Sequence, residues 1–235
     1  MTVSVFLTYP GLSTSGSAGE TARLEGAFRE QAVPGLSAAS GLRFIETFRP
    51  APGEVTAFAE DTAPPLLVEL NLDTPDEARG LLDLPELRAA LSLGGGGEQA
   101  TVDVFHSVNF PLPGHAQPPS REAPLSFLVR YHRPAADEAT FIAFYTQHHP
   151  LLLARLPGIR NVLCYLPTGL ELLAGMSPSS AFFGNEVVFD DLDSLNHALA
   201  SDVLKQLKAE GRHFPPFGHS THYAMLRQAV FVRPD

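Results

Sequence analysis

The 235-residue sequence predicts an α+β fold of two tandem ferredoxin-like units, each with the order β-α-β-β-α-β, that form one intramolecular α/β barrel. Three observations predict this fold. Short β-prone runs alternate with helical periodicity in that order, the order occurs twice, and the two halves share residues at a nearly constant offset. A hydrophobic content of 44% with 18% charged residues is ordinary for a globular chain of this length.

The first predicted unit spans residues 1–110 and contains four β-prone runs. These strands are Val3–Tyr9, Leu42–Phe48, Leu66–Leu72 and Ala100–Val108. One helix is predicted at Glu20–Gln31, with Pro34-Gly35 as its breaker. A second helix begins at the N-cap Thr74 and Pro75, continues across Pro85 and stops at the glycine run 94–97.

A second unit of the same kind is predicted at residues 125–235, after a proline-rich linker at 111–124 that lacks hydrophobic periodicity. Its predicted strands are Leu125–Tyr131, Ile159–Tyr165, Asn185–Phe189 and Thr221–Val232. Its predicted helices are Asp137–Leu156 and Ser194–Gly211.

The two units match at an offset of 117 residues, which indicates an internal duplication. At this offset Gly41–Arg43 falls on Gly158–Arg160, and Asp73 falls on Asp190. One residue earlier, the Phe, Gln and Pro of 28–34 fall on those of 144–150. A four-stranded sheet with helices on one face leaves the other face bare, so two units can close face to face. We therefore expect a monomer with an internal pseudo-dimer, or a homodimer.

Composition excludes several classes of function. The formal net charge of −10 and a pI near 5.3 argue against nucleic acid or an anionic membrane surface as a partner. Lys205 and Lys208 are the only lysines, and Cys164 is the only cysteine, so neither a disulfide nor a cysteine-based zinc site can form within the chain. Met1 leads directly into a β-prone run without a signal-peptide pattern, which predicts a soluble, cytoplasmic protein.

The stretch Phe141–Gly158 carries the main candidate site, two adjacent histidines followed by a proline. Helical spacing predicts one face that contains Phe141, Phe144, Tyr145, His148 and Leu152. Pro150 cannot donate to the Thr146 carbonyl, so the helix is expected to kink there. One interpretation is a general acid or base at the mouth of the barrel, and the other is a structural histidine that closes the helix end.

This stretch resembles the EthD family of the dimeric α/β-barrel superfamily. The similar residues are Phe141-x-x-Phe144-Tyr145-x-x-x-His149-Pro150-Leu151 and Leu156-Pro157-Gly158-Ile159. The family histidine falls on His149 when counted from the aromatic pair, and on His148 when counted from Pro-Leu. The matching positions of the first half, Ala32 and Val33, imply one pocket per chain, in the second half.

The resemblance implies a protein that binds or transforms a small, largely apolar organic molecule. His148 and His149 would be catalytic, in a cofactor-independent oxygenation or an isomerisation, with Tyr131, Phe144 and Tyr145 in the pocket. A non-catalytic auxiliary module of a degradation pathway is the alternative, and a haem-binding barrel is another, since some relatives bind haem. Fold alone does not choose among these functions.

Three further groups of residues are candidates of a weaker kind. Arg130 and His132 share a strand face opposite Tyr131, so they are substrate-binding residues if that face lines a pocket. His219 and His222 lie three apart on a predicted strand and should face opposite ways, and with His213 they lack an acidic neighbour, so no metal site is predicted. Cys164 is expected to be an inert buried thiol, and Arg43 and Arg160 to have a structural role.

Overall fold

The computed structural model describes residues 1–11, 18–57, 61–94, 99–112 and 123–234. Most of the predicted linker 111–124 and of the glycine run 94–97 lies outside the described residues. Within the described ranges the chain is one α+β domain built on a closed eight-stranded antiparallel barrel, with helices outside the barrel.

The barrel strands follow one another around the wall in the order β1-β3-β2-β8-β5-β7-β6-β4, and β4 closes on β1. The strands are β1 Thr2–Tyr9, β2 Leu42–Pro50, β3 Leu66–Leu72, β4 Thr101–Asn109, β5 Leu125–Ala135, β6 Asn161–Pro167, β7 Ala181–Phe189 and β8 Phe217–Val232. Within each half the neighbours are the fourth, first, third and second strands. All eight predicted strands are present, and the two halves join along β2–β8 and β4–β6.

The helices cover the outside of the barrel. They are α1 Ala18–Ala27, a π-helical turn Phe28–Ala32, α2 Val33–Leu36, α3 Pro75–Asp83, α4 Pro85–Leu91, α5 Glu138–Leu153, α6 Leu192–Leu199 and α7 Asp202–Gly211. Thr74 caps α3 by accepting from the Glu77 amide, as predicted, and Asp137 caps α5 through the Thr140 amide.

Three helix predictions were wrong at their ends or interiors. The first helix continues through Pro34-Gly35, where a break was expected, because Pro34 lies in the first turn of α2, where its missing N–H is tolerated. The second helix breaks at Leu84, an extended residue that precedes Pro85, as the residue before a proline prefers. The last predicted helix is likewise two, with Ser201 extended between them.

Each sheet has one face inside the barrel and one under the helices, because strand side chains alternate. On β5, Phe127, Val129 and Tyr131 pack under the helices of the second half, whereas Leu128 faces the barrel interior. The interior is filled by an apolar cluster that includes Phe6, Phe48, Phe105, Leu128, Tyr165 and Met225.

The barrel interior also holds charged side chains that pair with one another. Glu186 is completely buried, and its carboxylate accepts from Ser126 Oγ at 2.5 Å and from Arg227 at 3.2 Å. Tyr165 also donates to Glu186. Buried charges are costly unless they are paired, and these contacts pair the charges of Glu186 and Arg227.

Two ion pairs recur at the offset of 117 residues. Arg43 pairs with Asp73 at 3.1 Å, and Arg160 pairs with Asp190 at 3.5 Å. The predicted structural role of both arginines fits these contacts, each of which joins a residue at or just before the start of the second strand of a half to the residue after its third strand. Among the described residues, no helix is long and apolar enough to cross a membrane.

Candidate functional site

A cavity of about 290 Å³ lies in the second half, between the sheet and its covering helices. Its floor is formed by outward-facing residues of β5, β7 and β8, and its roof by α5, α6, α7 and the segment after α7. The polar or charged residues of its lining are His149, Asn185, Lys208, Ser220 and His222, and the rest, Gly211 apart, are aromatic or aliphatic. The sequence predicted a site at the mouth of the barrel, whereas this cavity lies outside the barrel wall, under the covering helices.

Helix α5 turns His149, and not His148, towards the sheet. Its buried residues include Phe141, Tyr145, His149 and Leu153, which are spaced at i, i+4, i+8 and i+12. His148 is exposed and donates from Nδ1 to the Phe144 carbonyl at 2.9 Å. The predicted buried face of α5, which contained His148, is therefore rotated by about one residue from the observed face, which contains His149. The sequence could not decide between the two faces, because Phe144 and Tyr145 are both aromatic. The helix continues through Pro150 to Leu153.

The Nδ1 atom of His149 is hydrogen-bonded to the Glu210 carboxylate on α7. The side chains are only 11% and 13% exposed, so the pair is largely shielded from solvent. The other carboxylate oxygen of Glu210 is buried without a hydrogen-bond partner among the described residues. A carboxylate at Nδ1 fixes the tautomer with its proton on Nδ1, which leaves the Nε2 lone pair of His149 as the acceptor.

Two tyrosines and an asparagine lie next to His149. Tyr145 stacks on the His149 ring at 4.4 Å between centroids, and its hydroxyl donates to Asn185 Oδ1 at 2.8 Å. This bond orients the Asn185 amide on β7, and Asn185 lines the cavity. The ring centroids of Tyr131 and Tyr145 lie 5.5 Å apart. Burial raises the pKa of both phenols, so both stay protonated near neutral pH.

A second histidine–carboxylate pair borders the same cavity. His222 on β8 lines it, and its ring stacks on Phe127 at 5.9 Å with 27° between the planes. Asp61 accepts from the His222 backbone amide at 2.8 Å and lies 3.4 Å from its Nδ1. Burial lowers the pKa of His222, and Asp61 opposes that shift.

The structure brings some predicted site residues together and separates others. Tyr131 and His149 line the cavity, and Tyr145 packs directly behind them. Phe144 is half-buried and is not part of the cavity lining. Its ring centroid lies 5.9 Å from that of Phe214. His148 also lies outside it.

Arg130 and His132 lie away from the cavity. The Arg130 guanidinium stacks over Phe6 and Tyr165, 4.6 and 4.9 Å from their ring centroids, inside the barrel. His132 stacks on His219 at 4.5 Å, and its two ring nitrogens contact hydroxyls at 2.9 and 3.0 Å. Neither residue can touch a molecule held beside His149 in this conformation.

The other sequence candidates are also separated from one another. His213 is exposed, and His219 and His222 face different surroundings. No group of three or more His, Cys, Asp or Glu residues within the described ranges could hold a metal ion. Cys164 is fully buried, and burial raises the pKa of its thiol.

Sequence reasoning missed Glu210, Asn185 and the approach of Asp61 to His222. Glu210 follows Val203 and Leu207 at helical spacing, so a carboxylate on an apolar helix face was a usable signal. Asn185 likewise interrupts the otherwise apolar start of a fully buried strand. Asp61 follows a loop far from His222 in sequence, and no local pattern indicates this contact.

Comparison with known proteins shows the class of fold. No protein-family model and no curated protein matches the chain. An anthrone oxidase-like protein is similar with a TM-score of 0.60 and 14% identity, covering 97% of this chain and 93% of that one. A proposed monooxygenase from Fusobacterium nucleatum has a TM-score of 0.57 and 6% identity, over 97% and 93%.

A chlorite dismutase from Candidatus Nitrospira defluvii, solved as a point mutant in complex with cyanide, is similar with a TM-score of 0.51 and 14% identity, over 97% and 91%. All three are below 25% identity, so they show the fold of this chain alone, which is that of an α/β barrel. At such identities the likeness concerns the fold, and function must be argued from the site.

Proposed function

We propose that this protein is an EthD-like enzyme that transforms a small, largely apolar organic molecule by removing a proton from it. The observation that carries the proposal is the His149–Glu210 pair, which borders a cavity of about 290 Å³ with a mostly apolar lining. A cavity of that size suits a molecule of two or three rings, near the lower limit of ordinary ligand pockets. The reaction would be a cofactor-independent oxygenation or an isomerisation, both of which begin with an activated carbanion or oxyanion.

The proton step follows from the hydrogen bonds. Nε2 of His149 takes a proton from an acidic C–H or O–H bond, and the electron pair moves to the substrate oxygen. Glu210 stabilises the imidazolium that forms, as a buried carboxylate does behind a general base. The Asn185 amide nitrogen can donate to the developing oxyanion, because Tyr145 occupies its carbonyl oxygen. In isomerisation, Nε2 returns the proton to another atom of the substrate. In oxygenation, the substrate carbanion would instead form a C–O bond with dioxygen, and the peroxide oxygen would take the proton from Nε2 to give a hydroperoxide.

Haem is implied by the family resemblance of α5, and the fit of the site to it is mixed. His149, with the Glu210 carboxylate at its Nδ1, is the residue that would hold the iron. The space does not suit a porphyrin, because Phe214 lies 5.5 Å from the His149 ring and the cavity measures only about 290 Å³. Among the described residues of the lining, Lys208 is the only lysine or arginine that could meet two propionates. We therefore derive no step through haem.

Deuterium exchange at the acidic carbon of 2-tetralone, a small bicyclic ketone, tests the proposed proton removal. Proton NMR in deuterated buffer follows the loss of the α-proton signal with and without the protein. We expect saturable acceleration by the wild type and none by the variant His149→Gln, which keeps a polar side chain of similar length. His148→Gln, one residue away and outside the cavity, is the matched control and should keep the wild-type rate.

Two results would contradict the proposal in different ways. Saturable binding of 2-tetralone without any exchange would favour the non-catalytic binding module. Equal exchange rates for the wild type and His149→Gln would remove His149 from the reaction.

We further propose that the two halves arose by duplication of one ferredoxin-like unit. The support is a single offset of 117 residues that relates the two ion pairs Arg43–Asp73 and Arg160–Asp190. The same offset relates the helix breaks at Leu84 and Ser201. A crystal structure in which the halves superpose at another register would contradict the duplication.

A further inference from the structure

A second cavity, of about 160 Å³, lies next to the cavity beside His149 (the His149 cavity). Among the described residues, the two cavities have two lining residues in common, Phe127 of β5 and His222 of β8. The rings of these residues stack, with centroids 5.9 Å apart and 27° between their planes. Residues that line two neighbouring cavities lie between them, so this stacked pair forms part of the wall that separates the two spaces.

The first half of the chain forms the outer side of the second cavity, with the end of β2 and the segment between β2 and β3. Asn196 of α6 holds this segment by accepting from the Thr56 amide at 3.1 Å and donating to the Glu54 carbonyl at 3.0 Å. Gly53 lies so close to α6 that a Cβ atom there would be 2.7 Å from Leu192. These contacts hold the outer wall of the second cavity against the second half. The wall consists of Pro50, Ala51, Gly53, Val55, Asp61 and Ala63.

Phe127 stands at the end of the His149 cavity that is remote from the histidine. His149 contacts Tyr145, which lies beside Tyr131. Tyr131 and Phe127 are four residues apart on β5, which corresponds to about 13 Å along an extended strand, and both side chains line the cavity. A molecule whose reacting atom lies at His149 therefore extends along β5 towards Phe127. The Phe127 side chain is packed in the apolar cluster under the helices and is only 4% exposed.

We propose that Phe127 sets the length of the molecule that the His149 cavity accepts, and that the second cavity is a blocked extension of the same site. An apolar substituent that points away from His149 is accepted until it reaches the Phe127 ring. A smaller side chain at position 127 joins the two cavities and admits a longer substituent. This inference rests on the proposed function, because it takes the reacting end of the molecule to lie at His149.

A series of 2-tetralones with straight alkyl chains of increasing length at carbon 6 tests the inference. Carbon 6 lies opposite the carbonyl end of the molecule, so the chain points towards Phe127 when the acidic carbon lies at His149. Isothermal titration calorimetry gives the affinity of each compound, and deuterium exchange gives its rate of proton removal. For the wild type we expect affinity to rise about fourfold for each methylene group that fits, and to fall once the chain meets Phe127.

Variants of Phe127 and of its neighbour Ala224 identify the wall between the cavities. In Phe127→Ala the affinity maximum should move to longer chains. Ala224 lies directly opposite Phe127 on β8 and lines the second cavity but not the His149 cavity. Adding Ala224→Leu to Phe127→Ala therefore refills the joined space and should move the maximum back, whereas Ala224→Leu alone should leave the wild-type maximum unchanged.

Phe182→Ala is the matched control for the loss of a buried aromatic ring. Phe182 lies on β7, is buried like Phe127 and lines neither of the two cavities, so its variant should keep the wild-type maximum. Phe127→Leu, a smaller reduction in size, provides a second test should Phe127→Ala not fold. It should move the maximum in the same direction by a smaller amount.

The outcomes distinguish this inference from the proposed function. A chain-length maximum that stays in place in the folded Phe127 variants overturns the role of Phe127, whether or not the protein catalyses exchange. A maximum that moves in these variants, without exchange by the wild type, supports the length limit and overturns the proposed proton removal. If no compound of the series binds the wild type, the proposed function fails together with the inference.

Discussion

Replacing Glu210 by Gln isolates the contribution of its carboxylate to the reactivity of His149. The carboxylate accepts from Nδ1, and its second oxygen is buried without a partner in the described part of the chain. Gln has nearly the same shape but no charge, so the variant keeps the cavity and removes the group that stabilises the imidazolium. We therefore expect substrate binding to persist while proton removal slows.

The magnitude follows from the burial of the pair. A hydrogen bond to a charged group is worth about 1.5–3 kcal/mol, and the low exposure of both side chains, 11% and 13%, supports that range. Since about 1.4 kcal/mol corresponds to a factor of ten, the exchange rate should fall about 10-fold to 100-fold. Loss of a residue that orients a functional histidine has effects of about the same size.

The assay measures the rate of deuterium exchange of 2-tetralone at saturating protein. The rate with His149→Gln gives the background value. Glu138→Gln is the matched control, because Glu138 pairs with exposed Arg133 at the start of α5 and lies outside the cavity. Thermal melts check that each variant is folded. An exchange rate for Glu210→Gln within twofold of the wild type would refute the reasoning, because the carboxylate would then have no part in proton transfer.

Two further predictions concern stability. Arg227→Met should lower the free energy of unfolding in urea by about 3–5 kcal/mol, because it removes a cation that pairs with the buried Glu186 carboxylate, and adding Glu186→Gln should recover part of the loss. A loss below about 1 kcal/mol would contradict the role of the pair. Burial, followed by the charges of His219 and Arg130, lowers the pKa of His132 to about 4, below the ordinary value of 6.5, so protonation favours the unfolded chain. Between pH 6.5 and about 4 the wild type should therefore lose stability more steeply than His132→Gln, and parallel pH profiles would exclude this effect.

The succession of strands along the chain could be predicted from the sequence because alternation and turn residues are local signals. Leu66–Leu72 agrees with the prediction at both ends, since turn residues follow it and its apolar run is continuous. Helix interruptions were less predictable. Leu84 and Ser201 end helices within segments whose apolar periodicity continues on both sides, and periodicity alone does not register such a break.

The candidate site was predictable only in part, because its residues come from separate elements. The motif around His149 drew attention to α5, but the choice between adjacent histidines depends on helix rotation, which packing against the sheet decides. Glu210 reaches His149, and Asp61 reaches His222, only when the barrel has closed and the helices and loops have packed on it. His149 and Glu210 are 61 residues apart in the sequence, so no local pattern predicts their contact.

The proposed duplication accounts for why the histidine site belongs to one half. The sequence match places Phe28 on Phe144, at an offset of 116, but burial in the structure follows the offset of 117. At that offset the buried residues of the first half match buried residues of α5: Leu24, Phe28, Ala32 and Leu36 match Phe141, Tyr145, His149 and Leu153.

His149 thus corresponds to Ala32, a small side chain inside an apolar cluster that packs the helices of the first half on their sheet. The methyl side chain of Ala32 cannot accept a proton. The hydroxyl of Tyr9, in the same apolar cluster, donates to the Ala90 carbonyl at 2.8 Å. With two equivalent layers closing one barrel, a well-packed first half can supply stability. The second half can then hold a cavity and buried ionisable groups, which cost stability wherever they occur.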